Sequence, residues 1–157
     1  MSDMLVKLYQ LPELEPVIKQ LADNGIEIRR AIAPEKHVVV DWVRQHFNEG
    51  WASECEVAFA NQPVSCYIAV KQGALIGFGC YEATCKNFFG PTGVSVNERK
   101  LGAGKGLLLA CLHAMRALGY GYAVIGSAGP KEYYSRIVGA TVIEDSTPGI
   151  YKGMLKL

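Results

Sequence analysis

No stretch of this chain stays apolar for the ~18 residues that a membrane-crossing helix needs, so no membrane partner is expected. Charge of one sign is also missing. Lys and Arg number 16 against 15 Asp and Glu, which removes the field that a duplex nucleic acid would select. Cysteine pairs at redox or metal spacing are absent. Cys55, Cys66, Cys80, Cys85 and Cys111 form an odd set without a CxxC, which fits reduced thiols in a cytoplasm better than a disulfide framework. His37, His46 and His113 are scattered without zinc-ligand spacing, so no metal is expected. The chain does not open with a basic segment, an apolar run and a small-residue cleavage site, and the expected location is cytoplasmic.

What remains is a chain of 157 residues, 50% apolar, without repeats, low-complexity runs or a linker. A chain near that length buries roughly 70% of its unfolded surface, so residues 1–157 are expected to form a single domain. The charge is unevenly placed. Residues 1–60 hold ten acids and six bases, whereas residues 61–157 hold five acids and ten bases, with Arg99, Lys100 and Lys105 close together. Such a tilt suits an anionic ligand or a solvated face.

Residues 4–11 suggest a short strand and Leu14–Ala22 a short helix closed by Asn24-Gly25. Ile26–Ile32 alternates with period 2 and reads as a strand. Pro34 then opens a helix carrying Val39, Trp42, Val43 and Phe47, and a second helix is expected over Trp51–Ala60. VSCYIAV and ALIGFGCYEA, joined at Gln72-Gly73, read as an antiparallel pair. A strand over Gly93–Val96, a glycine turn RKLGAGKG, a helix LLLACLHAMRAL and a strand Tyr122–Gly126 follow. A helix over Pro130–Val138 and a closing strand pair, Thr141–Glu144 with Ile150–Leu157, complete an α/β domain around a mixed sheet.

Strand, glycine turn and helix together make an anion seat, because free backbone N–H groups at a helix N-terminus carry roughly half a positive charge. Gly102, Gly104 and Gly106 would let an anion approach the main chain, and Lys105 adds charge. A P-loop is excluded for want of GxxxxGK followed by Ser or Thr, and a dinucleotide fingerprint because Leu107 stands where Gly is required. Arg99-Lys100-Leu101-Gly102-Ala103-Gly104 instead matches R-x-x-G-x-G/A. With the preceding Val94-Ser95-Val96 and the downstream Tyr133-Tyr134-Ser135-Arg136-Ile137-Val138-Gly139-Ala140, it resembles the Gcn5-related N-acetyltransferases, the GNAT superfamily. The order of elements from about residue 26 onward matches, which leaves residues 1–25 as an N-terminal extension. Two departures are that Ser127 stands nearest the place where Asn is common, and that Ala140 follows Gly139 where Phe is usual.

The resemblance implies a mostly antiparallel sheet, flanked by helices and splayed at its centre between residues 93–97 and 122–127, with acetyl-CoA in the opening. Val94 and Val96 would pair with the pantetheine arm as an added strand. The pyrophosphate would rest on Leu101, Gly102, Ala103, Gly104, Lys105 and Gly106, with Arg99 and Ser127 also at the cofactor. The activity implied is acetyl transfer to a primary amine of a small molecule or protein. The alternative is an acyl-CoA-binding regulatory module without turnover, and homodimerisation is left open.

A lysine-like amine of pKa ~10.4 is free of its proton only about once in 2,500 molecules at pH 7, so a base is needed. Glu82, the only acid between residues 57 and 97, is the first candidate, and Glu54 is the alternative. The family places a tyrosine at Tyr134 to return a proton to the departing thiolate, while Tyr133 is expected to pack in the core. Trp51, Phe88 and Phe89 are candidates to line the acceptor pocket.

Overall fold

The structure is a computed structural model and describes residues 1–156. Its strands are β1 (Met4–Lys7), β2 (Ile26–Arg30), β3 (Cys66–Lys71), β4 (Ala74–Tyr81), β5 (Phe88–Val94), β6 (Tyr122–Ile125) and β7 (Thr141–Val142). The helices are α1 (Glu15–Asp23), α2 (Lys36–His46), α3 (Glu49–Ala60), α4 (Ala103–Ala117) and α5 (Lys131–Val138). Local chemistry sets several boundaries. Pro16 stands in the first turn of α1, and the Asn48 side chain accepts the Trp51 amide to cap α3. Gln72 and Gly73 both have positive φ, as a two-residue hairpin turn between β3 and β4 requires. Gly139, with φ +66, ends α5 in the left-handed conformation.

The seven strands form one sheet in the order β2-β3-β4-β5-β6-β1-β7, antiparallel throughout except for β5 beside β6. That pair is joined only at Phe88↔Val124 and Phe89↔Ile125; beyond Gly90-Pro91, β5 follows β4 and parts from β6. This is the central splay expected from the resemblance. One face of the sheet is covered by α4, whose Leu108, Leu109, Leu112 and Met115 pack with Met4, Val6 and Ile125. The other face carries α2 and α3 over Ile68, Phe78 and Cys80. None of the described helices is long and apolar enough to cross a membrane.

The N-terminal segment differs from expectation. Rather than an extension outside the core, β1 lies between β6 and β7, pairing Met4 with Ile125 on one side and with Val142 on the other. Met4, Val6 and Leu8 are fully buried. The expected closing pair is therefore corrected: Thr141–Val142 takes its partner from the N-terminus, while Gly149–Tyr151 forms a 3-10 turn. The rest of the predicted strand is not one through Lys156, and Leu157 lies outside the described residues. The expected strand over Gly93–Val96 is also corrected, since β5 ends at Val94 and Val96–Leu101 coils as a 3-10 helix.

Gly93 stands near the splayed end of β5 for a steric reason. A Cβ there would fall inside the ring of Phe47. That ring is packed between neighbours, tilted against Trp51 at 4.9 Å and against Phe78 at 5.9 Å between centroids. Gly93→Ala is expected to destabilise the fold by about 1–3 kcal/mol, the usual cost of overpacking. Calorimetry should show a fall of about 2–12 °C in Tm, and an unchanged Tm would mean that Phe47 is free to yield.

Candidate active site

The glycine turn is built as a cradle. Gly102, with φ +87, turns the chain in the left-handed region, and α4 starts at Ala103, four residues earlier than the apolar pattern implies. The amides at the front of α4 are the free ones. Gly106 is not among them, because its N–H already donates to the Gly102 carbonyl at 3.2 Å. A Cβ on Gly106 would also come within 2.5 Å of Leu21 Cδ1 and 3.2 Å of Ile28 Cγ1. Gly106 is thus a packing glycine, and its expected place among the cofactor contacts is corrected on that ground. Gly104 differs: a Cβ there would point between the Tyr133 hydroxyl and Val94 Cγ2, both at 3.8 Å, where there is room. Ala103 is buried, Lys105 is half-exposed at the cradle's front, and Leu101 and Arg99 are exposed.

The splayed edge of β5 is open for main-chain pairing. Ser95 donates to the Ile76 carbonyl of β4 at 2.8 Å, so Val94, one residue earlier, turns its backbone groups toward the gap. Arg99 Nε donates to the Val94 carbonyl at 3.0 Å, which ties the strand end to the 3-10 turn and leaves the Val94 amide for a ligand. Val96 is past the strand and highly exposed, so the expectation that it extends the pairing edge is corrected.

Two connected cavities fill the splay. The smaller, of about 210 Å³, lies between Gly90-Pro91-Thr92 and Gly126-Ser127, with Tyr134 in its wall. The larger, of about 740 Å³, continues from the same Trp51, Gly90 and Gly126 to Glu54, Thr84 and Tyr151. Trp51 and Phe89 line both, as expected, whereas Phe88 is packed beneath Gly126.

Glu82 is not in either cavity. Its carboxylate accepts from Tyr120 at 2.6 Å through one oxygen and from the Asn87 amide at 2.5 Å through the other. Both oxygens hold the β4–β5 connection together, beside a separate cavity lined by Asn61 and Lys86. Glu82 is therefore not placed to act as the base, whereas Glu54, the alternative acid, faces the larger cavity. Glu54 projects from α3 into the larger cavity, where burial raises its pKa and a hydrogen bond from Thr84 lowers it by less.

Tyr134 is buried in the core beside β1 and α4 and also borders the smaller cavity, and burial pushes its pKa up to about 12. No protein group accepts from its hydroxyl among the described residues, yet no buried side-chain polar atom lacks a partner; that hydroxyl therefore meets the slot. Tyr133 packs against the core as expected, and it also stands beside the cradle with its hydroxyl toward Gly104.

The sequence reading missed Asp3 and Tyr151. Asp3 is buried, accepts from the Ser127 amide at 2.8 Å and donates its own N–H to the Ser146 hydroxyl oxygen at 2.8 Å, fixing the wall of the slot. Ser127 thus meets the cavity from a backbone held by Asp3 at φ +44. Tyr151 comes from the C-terminal strap, and its hydroxyl would lie 2.9 Å from a Cβ on Gly126.

The sheet is mixed and opens at its centre, with a glycine cradle on one side and a cavity bordered by Glu54 on the other. Solved structures give the fold a name. The chain is similar to the GCN5-related glucosamine N-acetyltransferase region of a fungal multi-domain GH3 beta-N-acetylglucosaminidase, with TM-score 0.73 and 13% identity over 90% of this chain and 19% of that one. It is also similar to a GCN5-related N-acetyltransferase from Sphaerobacter thermophilus, with TM-score 0.67 and 20% identity over 90% and 48%. A third from Kribbella flavida gives TM-score 0.56 and 13% identity over 90% and 53%. The chain therefore spans about half or less of the length of these solved chains. It has the fold of the GCN5-related N-acetyltransferases. No family model and no curated protein matches the sequence.

Proposed function

We propose that the protein transfers an acetyl group from acetyl-CoA to the primary amine of a small acceptor bound in the larger cavity. The observation that carries this reading is Glu54: a half-buried carboxyl with a raised pKa, placed across the splay from the cradle. The residues present fit CoA on two counts, since a Cβ at Gly104 would fill the space that the cradle leaves and the Val94 amide faces the gap. Gly102, Ala103, Gly104 and Lys105 would hold the pyrophosphate, with Val94 pairing the pantetheine arm. Bound there, acetyl-CoA supplies an acyl group already activated as a thioester.

Glu54 takes the proton from the incoming ammonium, a transfer made easier by the raised carboxyl pKa. As the nitrogen bonds to the acyl carbon, the carbon–sulfur bond breaks. Tyr134 then donates a hydrogen bond to the leaving sulfur. With a pKa near 12 its phenol is a weaker acid than a thiol of about 8.5, so it remains protonated and acts as a donor. A hydrogen bond to a charged group contributes about 1.5–3 kcal/mol, so Tyr134→Phe is expected to lower kcat about 10- to 150-fold with little change in affinity for acetyl-CoA. Undiminished turnover in that variant would make Tyr134 a packing residue and turn attention to Tyr133.

The lining also favours a class of acceptor. Glu54 is its only charged side chain, joined by the hydroxyls of Ser53, Thr84, Ser127 and Tyr151 and by the indole of Trp51. A single acidic side chain among hydroxyls suits an amine that itself carries hydroxyl groups. An amino sugar such as glucosamine has that chemistry, and the fungal region of similar fold is described as a glucosamine N-acetyltransferase. Release of CoA thiol from acetyl-CoA should be followed with glucosamine, an amino acid, a polyamine and an aminoglycoside. Turnover with glucosamine above the others is expected. Acetyl-CoA binding without turnover of any amine would favour a regulatory acyl-CoA-binding module.

A further inference from the structure

Away from the splay, three of the five cysteines converge in the opposite layer. Cys66 and Cys80 are direct cross-strand partners on β3 and β4, and Cys55 comes down on them from α3. All three are fully buried, and their sulfur atoms lie within 4.8 Å of one another. We propose that Cys55, Cys66 and Cys80 form a sealed trithiol site that takes one As(III) from arsenite, with three sulfur ligands and no water.

Charge and coordination number choose the ion. The three cysteines share one buried apolar cluster with Val43, Ala52, Ala58, Ile68 and Phe78. A fourth His, Cys, Asp or Glu does not join the group among the described residues. Zinc prefers four ligands or three and a water, and three thiolates would leave it with a net negative charge. Copper(I), although soft enough for sulfur, would leave two negative charges in the core. Unpaired buried charge is strongly unfavourable. As(III) with three thiolates is neutral. Arsenous acid reacts with three thiols to give one trithiolate and three waters: three As–O and three S–H bonds break, three As–S and three O–H bonds form, and no oxidation state changes.

The distances suit this product. As(III) carries a lone pair and holds three sulfurs as a pyramid, so sulfurs ~2.3 Å from it at angles of roughly 95° lie about 3.4 Å apart, and the cluster must contract by up to about 1.4 Å. Entry requires α3 to lift from the sheet, so loading should be slow.

The test uses the reduced full chain with sodium arsenite. Native mass spectrometry should show a gain of one arsenic less three hydrogens, and X-ray absorption should show three sulfur neighbours and no oxygen. Cys55→Ala and Cys80→Ala should each weaken retention by more than about 100-fold, since even outer-shell partners of metal ligands are worth about 10- to 100-fold. Cys85→Ala should leave it unchanged. Oxygen in the arsenic shell, retention that depends on Cys85, or Zn(II) or Cu(I) held as tightly by the same three sulfurs would overturn the proposal. The absorption measurement needs only the unaltered chain, so a variant that fails to fold does not decide the matter.

Discussion

Glu54→Gln is expected to lower kcat with an accepted amine by about 10²- to 10⁴-fold, the range typical of a lost general base. The amide keeps an oxygen for the Thr84 hydroxyl, so the α3 contact survives while proton acceptance is lost. The same side chain sets a pH dependence. In the wild type, kcat should rise with pH as a carboxyl titrating above the ordinary glutamate range ionises, and this limb should vanish in the variant. The stability effect runs the other way. A carboxyl whose folded pKa is raised contributes stability at low pH and loses it as pH climbs through that pKa, because ionisation is harder in the fold. Glu54→Gln, uncharged at every pH, should therefore melt above the wild type at neutral pH and level with it in acid. A variant that melts lower at neutral pH and keeps its turnover would show that Glu54 is structural.

Gly104→Val should abolish acetyl-CoA binding without unfolding the chain. The new side chain would enter the space bounded by the Tyr133 hydroxyl and Val94, where a Cβ meets only ordinary contacts. Acetyl-CoA at about 100 times its Kd stabilises a protein by about 2.7 kcal/mol, and that shift in Tm is what the variant should lose. Gly106→Val is the counterpart, because its side chain would collide with Leu21 and Ile28 and lower Tm in the absence of any ligand. A retained acetyl-CoA shift in Gly104→Val would remove the cradle from the binding site.

The cradle was legible in the sequence because glycine is itself the signal: Gly102 marks a left-handed turn and Gly104 an uncovered helix end. The same code misled at Gly106, where a missing side chain serves Leu21 and Ile28 rather than an anion. The acid was harder to place. Glu82 and Glu54 differ in what folds against them, and the pairing of Glu82 with Tyr120 joins residues 38 positions apart. A signal for Glu54 was present, since it falls one helical turn after Trp51 and one before Ala58, on the edge of an apolar face. For Asp3 there was none, because its partners Ser127 and Ser146 are brought to it only by the closed sheet. The strand Thr141–Val142 was assigned the wrong partner for the same reason: local periodicity says that a segment is extended, and nothing about which distant segment lies beside it.

The position of β1 between β6 and β7 also governs the order in which the chain acquires its structure during synthesis. The first strand leaves the ribosome long before residues 122–125 and 141–142, against which it must be laid. Until then Met4, Val6 and Leu8 have no complete groove to enter, while the β2–β3–β4 meander can already collapse under α2 and α3. Such distant pairing is slow because a long loop must close before any contact rewards it, and the waiting apolar strand is a target for chaperones and for mispairing with neighbouring chains. The half of the sheet that holds Asp3 and Ser127 is thus completed after the β2–β3–β4 half, and the slot acquires its second wall only once residues 122–142 have been made.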